Sequence, residues 1–360
     1  MPHVGTTTEI DISVDESAAT LDRRLSVAPM MDWTDRHCRF FLRGFSPRVL
    51  LYTEMITAAA IAHGDRARLL HFSPAERPLA LQLGGNEPLL LAAAARAGAD
   101  AGYDEINLNC GCPSDRVHAG AFGACLMLTP DRVAECVAAM RHAVELPVTV
   151  KMRIGVQGTA AGNKAAVESF DQQDFERLRA FTATVAQAGC AHFTVHARKA
   201  VLGGLSPREN REVPPLRFDV VQQLRQAFPR LWIGVNGGLR TVEQSQQALA
   251  WADGVMLGRE AYHRPTVLAE LHRRVFNDGW ESPDADALLE RMAAYAEREV
   301  AAGHRAASIT RHMLGLFAGH PGARRYRQQL SDGARALGSG PEAARSIGRL
   351  LRSASELRAA

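Results

Sequence analysis

Short β-rich runs alternate with stretches of helical spacing from Leu25 to about Gly258. Eight such runs can be counted: Leu25-Ser26-Val27-Ala28, Val49-Leu50-Leu51-Tyr52, Leu79-Ala80-Leu81-Gln82, Glu105-Ile106-Asn107-Leu108, Val148-Thr149-Val150-Lys151, His192-Phe193-Thr194-Val195, Trp232-Ile233-Gly234-Val235 and Gly254-Val255-Met256-Leu257. Eight βα units without a long antiparallel pattern predict an α/β fold of the (β/α)8 TIM-barrel type. A doubly wound parallel sheet is the competing topology. Thr129 before Pro130 and Thr241 before Val242 read as helix caps. Beyond Trp280-Glu281-Ser282-Pro283 the strands stop, and Ala285 to Glu356 reads as helices with arginine and no lysine. The predicted organisation is a disordered extension over 1–24, a barrel over 25–280 and a small all-helical domain over 281–360. The stretch Val156 to Phe170, rich in Gly, Ala and polar residues, follows the fifth strand, where barrels carry functional loops; it reads as a lid or a disordered insertion.

Composition narrows the class. A chain of 360 residues with 46% hydrophobic content fills one large core and a smaller one. A formal charge of +3 is too small to announce nucleic-acid binding, so a polyanion would have to meet a local basic patch. The longest apolar stretch, near Leu89 to Ala95, is far short of a membrane span, and Glu9, Asp11, Asp15 and Glu16 occupy the place of a signal peptide. Cys38, Cys110, Cys112, Cys125, Cys136 and Cys190 lack the spacing of a disulfide framework, which fits a reducing cytoplasm.

In a barrel, residues at the carboxyl ends of the strands converge on one mouth. Here they are Pro29 and Met30, Glu54, Gln82, Asn107, Asn109 and Cys112, Lys151 and Arg153, His196 and Arg198, Asn236, and Gly258 and Arg259. Asn236-Gly237-Gly238 and Leu257-Gly258-Arg259 follow the seventh and eighth strands, where this fold offers bare backbone N–H groups to phosphate. A phosphorylated cofactor is expected. Lys151 can place an ammonium beside a ring that gains negative charge on reduction. Cys112 is open to three roles: nucleophile, metal ligand, or a thiol that gives a proton to a carbanion-like carbon. A zinc site from Cys110, Cys112, His118 and Cys125 lacks paired C-x-x-C knuckles, and no metal is expected.

The runs Asn109-Cys110-Gly111-Cys112-Pro113-Ser114, Gly123-Ala124-Cys125-Leu126, Lys151-Met152-Arg153 and His196-Ala197-Arg198 resemble the tRNA-dihydrouridine synthases, as does the opening Ala28-Pro29-Met30-Met31-Asp32-Trp33. Gly204 to Leu216 and His320 to Arg327 resemble the A branch, the tRNA-dihydrouridine(20/20a) synthases. The resemblance implies a flavoenzyme that binds FMN, is reduced by NADPH or NADH, and saturates the C5–C6 bond of a uridine in the tRNA D-loop, at positions 20 and 20a. It implies that Cys112 protonates uracil C5 and that Asn109 meets the flipped uridine. Pro29, Met30 and Met31 would line the flavin face, Gln82, Lys151 and His196 the ring or ribityl tail, and Asn236, Gly237, Gly238, Gly258 and Arg259 the phosphate. Arg208, Arg211, Arg324 and Arg327 would contact tRNA. No protein partner is implied. The 156–170 stretch is longer than this branch's usual loop. Two other readings compete: a flavin barrel acting on a free pyrimidine, and a non-catalytic tRNA-binding protein.

Overall fold

The computed structural model describes residues 21–114, 121–158, 169–203 and 205–354. Its strands are β1 (Leu25–Val27), β2 (Leu51–Tyr52), β3 (Ile56–Thr57), β4 (Leu79–Gly84), β5 (Glu105–Cys110), β6 (Val148–Gln157), β7 (His192–Val201), β8 (Trp232–Asn236) and β9 (Gly254–Leu257). All neighbours pair in parallel, in the order β1-β9-β8-β7-β6-β5-β4-β2. The ring closes where Ser26 bridges Leu50 and Val27 N–H donates to the Leu50 carbonyl at 2.9 Å. This is the (β/α)8 barrel. It carries one strand more than the eight predicted runs, because β3 pairs with the far end of β4, Ile56 opposite Leu83, above the short β2.

Period-two alternation builds the barrel wall. Leu79, Leu81 and Leu83, Ile106, Leu108 and Cys110, and Val148, Val150 and Met152 belong to the apolar core shared with the helices. The intervening positions form the other face: Ala80 and Gln82, Glu105, Asn107 and Asn109, Thr149 and Lys151. Near the base this face is closed by Leu50, Tyr52, Ala80 and Met256, none more than 3% exposed.

Several boundaries differ from the sequence pattern. β6 and β7 run ten residues each and stay paired to Gln157 and Val201, past a register shift between Arg153 and Gly155. Val156 and Gln157 are therefore strand, while 159–168 lie outside the described residues. Leu21–Arg24 are seated on the barrel, with Arg23 only 8% exposed and ion-paired to Glu105; residues 1–20 lie outside the described residues. Thr241 accepts from Gln244 N–H as a cap, whereas the Thr129 hydroxyl faces the Leu126 carbonyl and caps nothing.

The C-terminal region contains the helices Ala285–Ala301, Ala306–Thr310, Ala323–Leu337 and Pro341–Ser353. Its buried side chains, among them Leu289, Met292, Met313, Tyr326, Leu330 and Ile347, join the same apolar cluster as the barrel's helices. Polar ties fix the seam. Asp35 caps the helix Arg36–Leu42 by accepting from Cys38 N–H, and it also binds Arg311 at 2.7 Å and His312 at 3.0 Å. Trp33 stacks on Tyr262 with ring centres 4.4 Å apart, and Phe40 stacks on Tyr295 at 4.0 Å. Among the described residues no helix is long and apolar enough to cross a membrane.

Candidate active site

β5 ends in Asn109-Cys110, and the chain then turns through Gly111 and Cys112 over the barrel mouth. Cys110 is fully buried in the apolar core, which pushes its thiol far above the ordinary range. Cys112 is half-buried, with Sγ 3.5 Å from the Ser114 hydroxyl. The loop is pinned from below and from the side. Asn109 Oδ1 accepts from both Gly111 N–H and Cys112 N–H at 3.0 Å. Arg153 Nε donates to the Gly111 carbonyl at 2.9 Å, while its Nη1 donates to the carbonyls of Lys199 and Asn210. Asn210 is fully buried and ties the following loop to Val201, so Arg153 joins the Cys112 loop to the loop after β7.

Lys151 and Asn236 face one another across the mouth: Lys151 Nζ donates to Asn236 Oδ1 at 3.1 Å, and Asn236 Nδ2 donates to the Met256 carbonyl at 2.7 Å. Burial, reinforced by the Arg153 charge, brings the Lys151 amine down to about 7. Arg153 itself is lowered to about 9 by burial. His196 falls well below its ordinary value, first by burial and then through Arg153, Lys151, Arg198 and Arg211, and so it is neutral. Gly237 lies beside it at φ +110°, where a Cβ would come within 2.4 Å of the imidazole; only glycine fits.

The rim carries more cations. Arg198 donates to the carbonyls of Glu212 and Pro214, and its Nε is buried without a partner. Arg259 binds Glu212 at 2.7 Å, and Arg208, 80% exposed, lies 3.7 Å from the same carboxylate. Pro29 and Met30 are half-buried, with Met30 Sδ near Gly258, while Met31 is 56% exposed. Arg324 and Arg327 stand exposed on the helix Ala323–Leu337.

Behind the loop lies a set of polar side chains that the sequence reading passed over. Glu105, fully buried, accepts from Arg23, Tyr52 and Thr149. The signal was the polar period-two pattern of Glu105, Asn107 and Asn109 within an otherwise apolar strand.

A mouth with clustered cations, a near-neutral lysine short of an anion, and left-handed glycines suits an anionic, phosphorylated cofactor. The model for the family described as "Dihydrouridine synthase (Dus)" matches residues 26–346. The chain belongs to the dihydrouridine synthase family. It is 54% identical over 319 residues to a tRNA-dihydrouridine(20/20a) synthase of Synechocystis sp., covering 88% of this chain and 91% of that protein. Proteins of the same description from Pseudomonas syringae pv. tomato and Escherichia coli K12 are 54% and 50% identical, over 86% and 88% of this chain and 89% and 88% of theirs. Dihydrouridine synthases are FMN-dependent oxidoreductases that reduce uridine in tRNA with NADPH, and this chain is one of them. The match continues through the helical C-terminal region, which a barrel acting on a free pyrimidine would leave without a purpose.

Proposed function

We propose that the barrel mouth reduces uridines 20 and 20a of the tRNA D-loop, the positions in the relatives' names, with Cys112 as proton donor to uracil C5. FMN held in the mouth would supply the hydride that this reduction needs. The carrying observation is the double hydrogen bond from the Gly111 and Cys112 backbone to Asn109, which sets a thiol and a carboxamide side by side above a cation-rich mouth.

The chain's own residues take these parts. Lys151, His196 and Gln82 hold the ring and ribityl tail; neutral His196 adds no further charge to Lys151 and Arg153. Asn236, Gly237, Gly238, Gly258 and Arg259 hold the phosphate, and Pro29, Met30 and Met31 border the ring. Asn109 meets the uracil, which must leave its stack to reach the mouth. Arg208 and Arg211 on the rim grip the backbone, together with Arg324 and Arg327 on the helical region. In this reading residues 25–280 perform the chemistry and 281–360 hold the tRNA, in the cytoplasm.

The test is an absorbance spectrum of the purified protein, followed by mass mapping of tRNA incubated with it and NADPH. A flavin spectrum and two added hydrogens at position 20 or 20a are expected. A flavin without tRNA reduction would sink the substrate assignment.

A further inference from the structure

Every hydrogen bond between the Cys112 loop and Glu105 runs in one direction. Gly111 and Cys112 N–H donate to Asn109 Oδ1; Asn109 Nδ2 donates to Gln82 Oε1 at 2.8 Å; Gln82 Nε2 donates to Asn107 Oδ1 at 2.8 Å. Asn107 Nδ2 then donates to Thr149 Oγ1 at 2.8 Å, and the Thr149 hydroxyl donates to Glu105 Oε1 at 2.6 Å. Gln82, Asn107, Thr149 and Glu105 are at most 3% exposed.

The two ends compel this sense. A backbone N–H can only donate, and the Glu105 carboxylate, paired with Arg23 at 2.6 Å, can only accept. Turning over any amide between them would oppose donor to donor and acceptor to acceptor, leaving buried polar groups unmade. The Tyr52 hydroxyl also donates to Glu105 Oε1, at 2.8 Å, and burial and the Glu105 charge keep it protonated; it lies off the chain of bonds.

We infer that Thr149, Asn107 and Glu105 are positioning residues for the reduction. The carboxylate at the base of the barrel orients three successive amides, so that Asn109 gives its oxygen to the Cys112 loop. Asn109 thereby keeps its second Nδ2 hydrogen, unpartnered among the described residues, as a donor to a uracil carbonyl. The inference rests on the roles proposed above for Asn109 and Cys112.

The experiment compares wild type, Thr149→Val, Thr149→Ser and Tyr52→Phe as flavin-loaded full chains with tRNA and NADPH. Thr149→Val and Tyr52→Phe each remove one hydroxyl from the same carboxylate oxygen, but only the first breaks the relay. Thr149→Val lowers kcat for dihydrouridine formation by about tenfold, the size of one lost hydrogen bond. KM for tRNA and the NADPH-driven bleaching of the flavin stay at wild-type values. Thr149→Ser restores kcat, and Tyr52→Phe retains it. Should Thr149→Val fail to fold, Thr149→Ala carries the same expectation. Unchanged kcat in the relay-breaking variant, or equal losses in it and Tyr52→Phe, would overturn the inference while leaving the functional reading intact. A wild-type protein that makes no dihydrouridine would overturn that reading, and this inference with it.

Discussion

Lys151 is an amine with one acceptor, Asn236, and a neighbouring cation, Arg153, and burial leaves it near neutrality at about 7. An anionic cofactor beside it restores the charge. In the free protein at about pH 8 the amine is mostly neutral, so FMN binding takes up protons, approaching one per FMN, and below about pH 6 that uptake vanishes. Calorimetric binding heats at about pH 8 will differ between buffers of unlike ionisation enthalpy, and Lys151→Met will remove the difference. Buffer-independent heats in the wild type would dissociate Lys151 from the cofactor. Cys112→Ala keeps its flavin and its reduction by NADPH but loses dihydrouridine formation by roughly 100-fold or more, the usual worth of a placed acid. A normal product yield would remove the thiol from its role. Cys112 and Asn109 were legible in the sequence because polar residues at strand ends are conspicuous. Thr149 and Glu105 were not: their meaning depends on Asn107 lying opposite Thr149 across β5 and β6, and register is a property of two strands together.

Among elements, the short helix Arg36–Leu42 depends on Asp35, which serves it as cap and serves the C-terminal region as counter-ion. Burial alone would raise the Asp35 pKa; the bond and charge of His312, the Cys38 N–H and Arg311 outweigh it and hold the carboxyl well below its ordinary 3.8. A depressed carboxylate stabilises the fold fully above its unfolded value, so this contribution is present above about pH 4 and fades as pH falls further. Asp35→Ala costs about 2–4 kcal/mol, combining a lost cap with a buried His312 left without its hydrogen-bond partner, as read from denaturant midpoints at neutral pH. The deficit should shrink in acid; a constant one would leave only the cap. Seven of the eight runs start where their strands do, β2 beginning at Leu51 rather than Val49, whereas only the runs ending at Tyr52 and Leu257 end where their strands do. β6 and β7 continue beyond the barrel rim because each finds its partner there, and no local propensity records that.

On the scale of the molecule, the barrel was legible from eight repeated runs, whereas the seam with the helical region was not, since Trp33, Asp35, Tyr262 and His312 come from three distant stretches. Exposed Arg324 and Arg327 have no ion-pair partner among the described residues and flank buried Tyr326, which fixes their helix face outward. Arg324→Ala with Arg327→Ala should weaken tRNA binding and flatten its salt dependence by about two phosphate contacts, with flavin reduction by NADPH unchanged. Equal affinity across salt concentrations would move the footprint elsewhere.

The apolar cluster that passes without a break from the barrel's helices to Ile347 and Leu351 has a thermodynamic corollary. Neither part can melt and leave the other with its surface intact, because each supplies the other's interior. Scanning calorimetry will therefore record one heat-absorption peak for the whole chain, and a chain cut at residue 280 will be no free-standing barrel but an aggregating fragment.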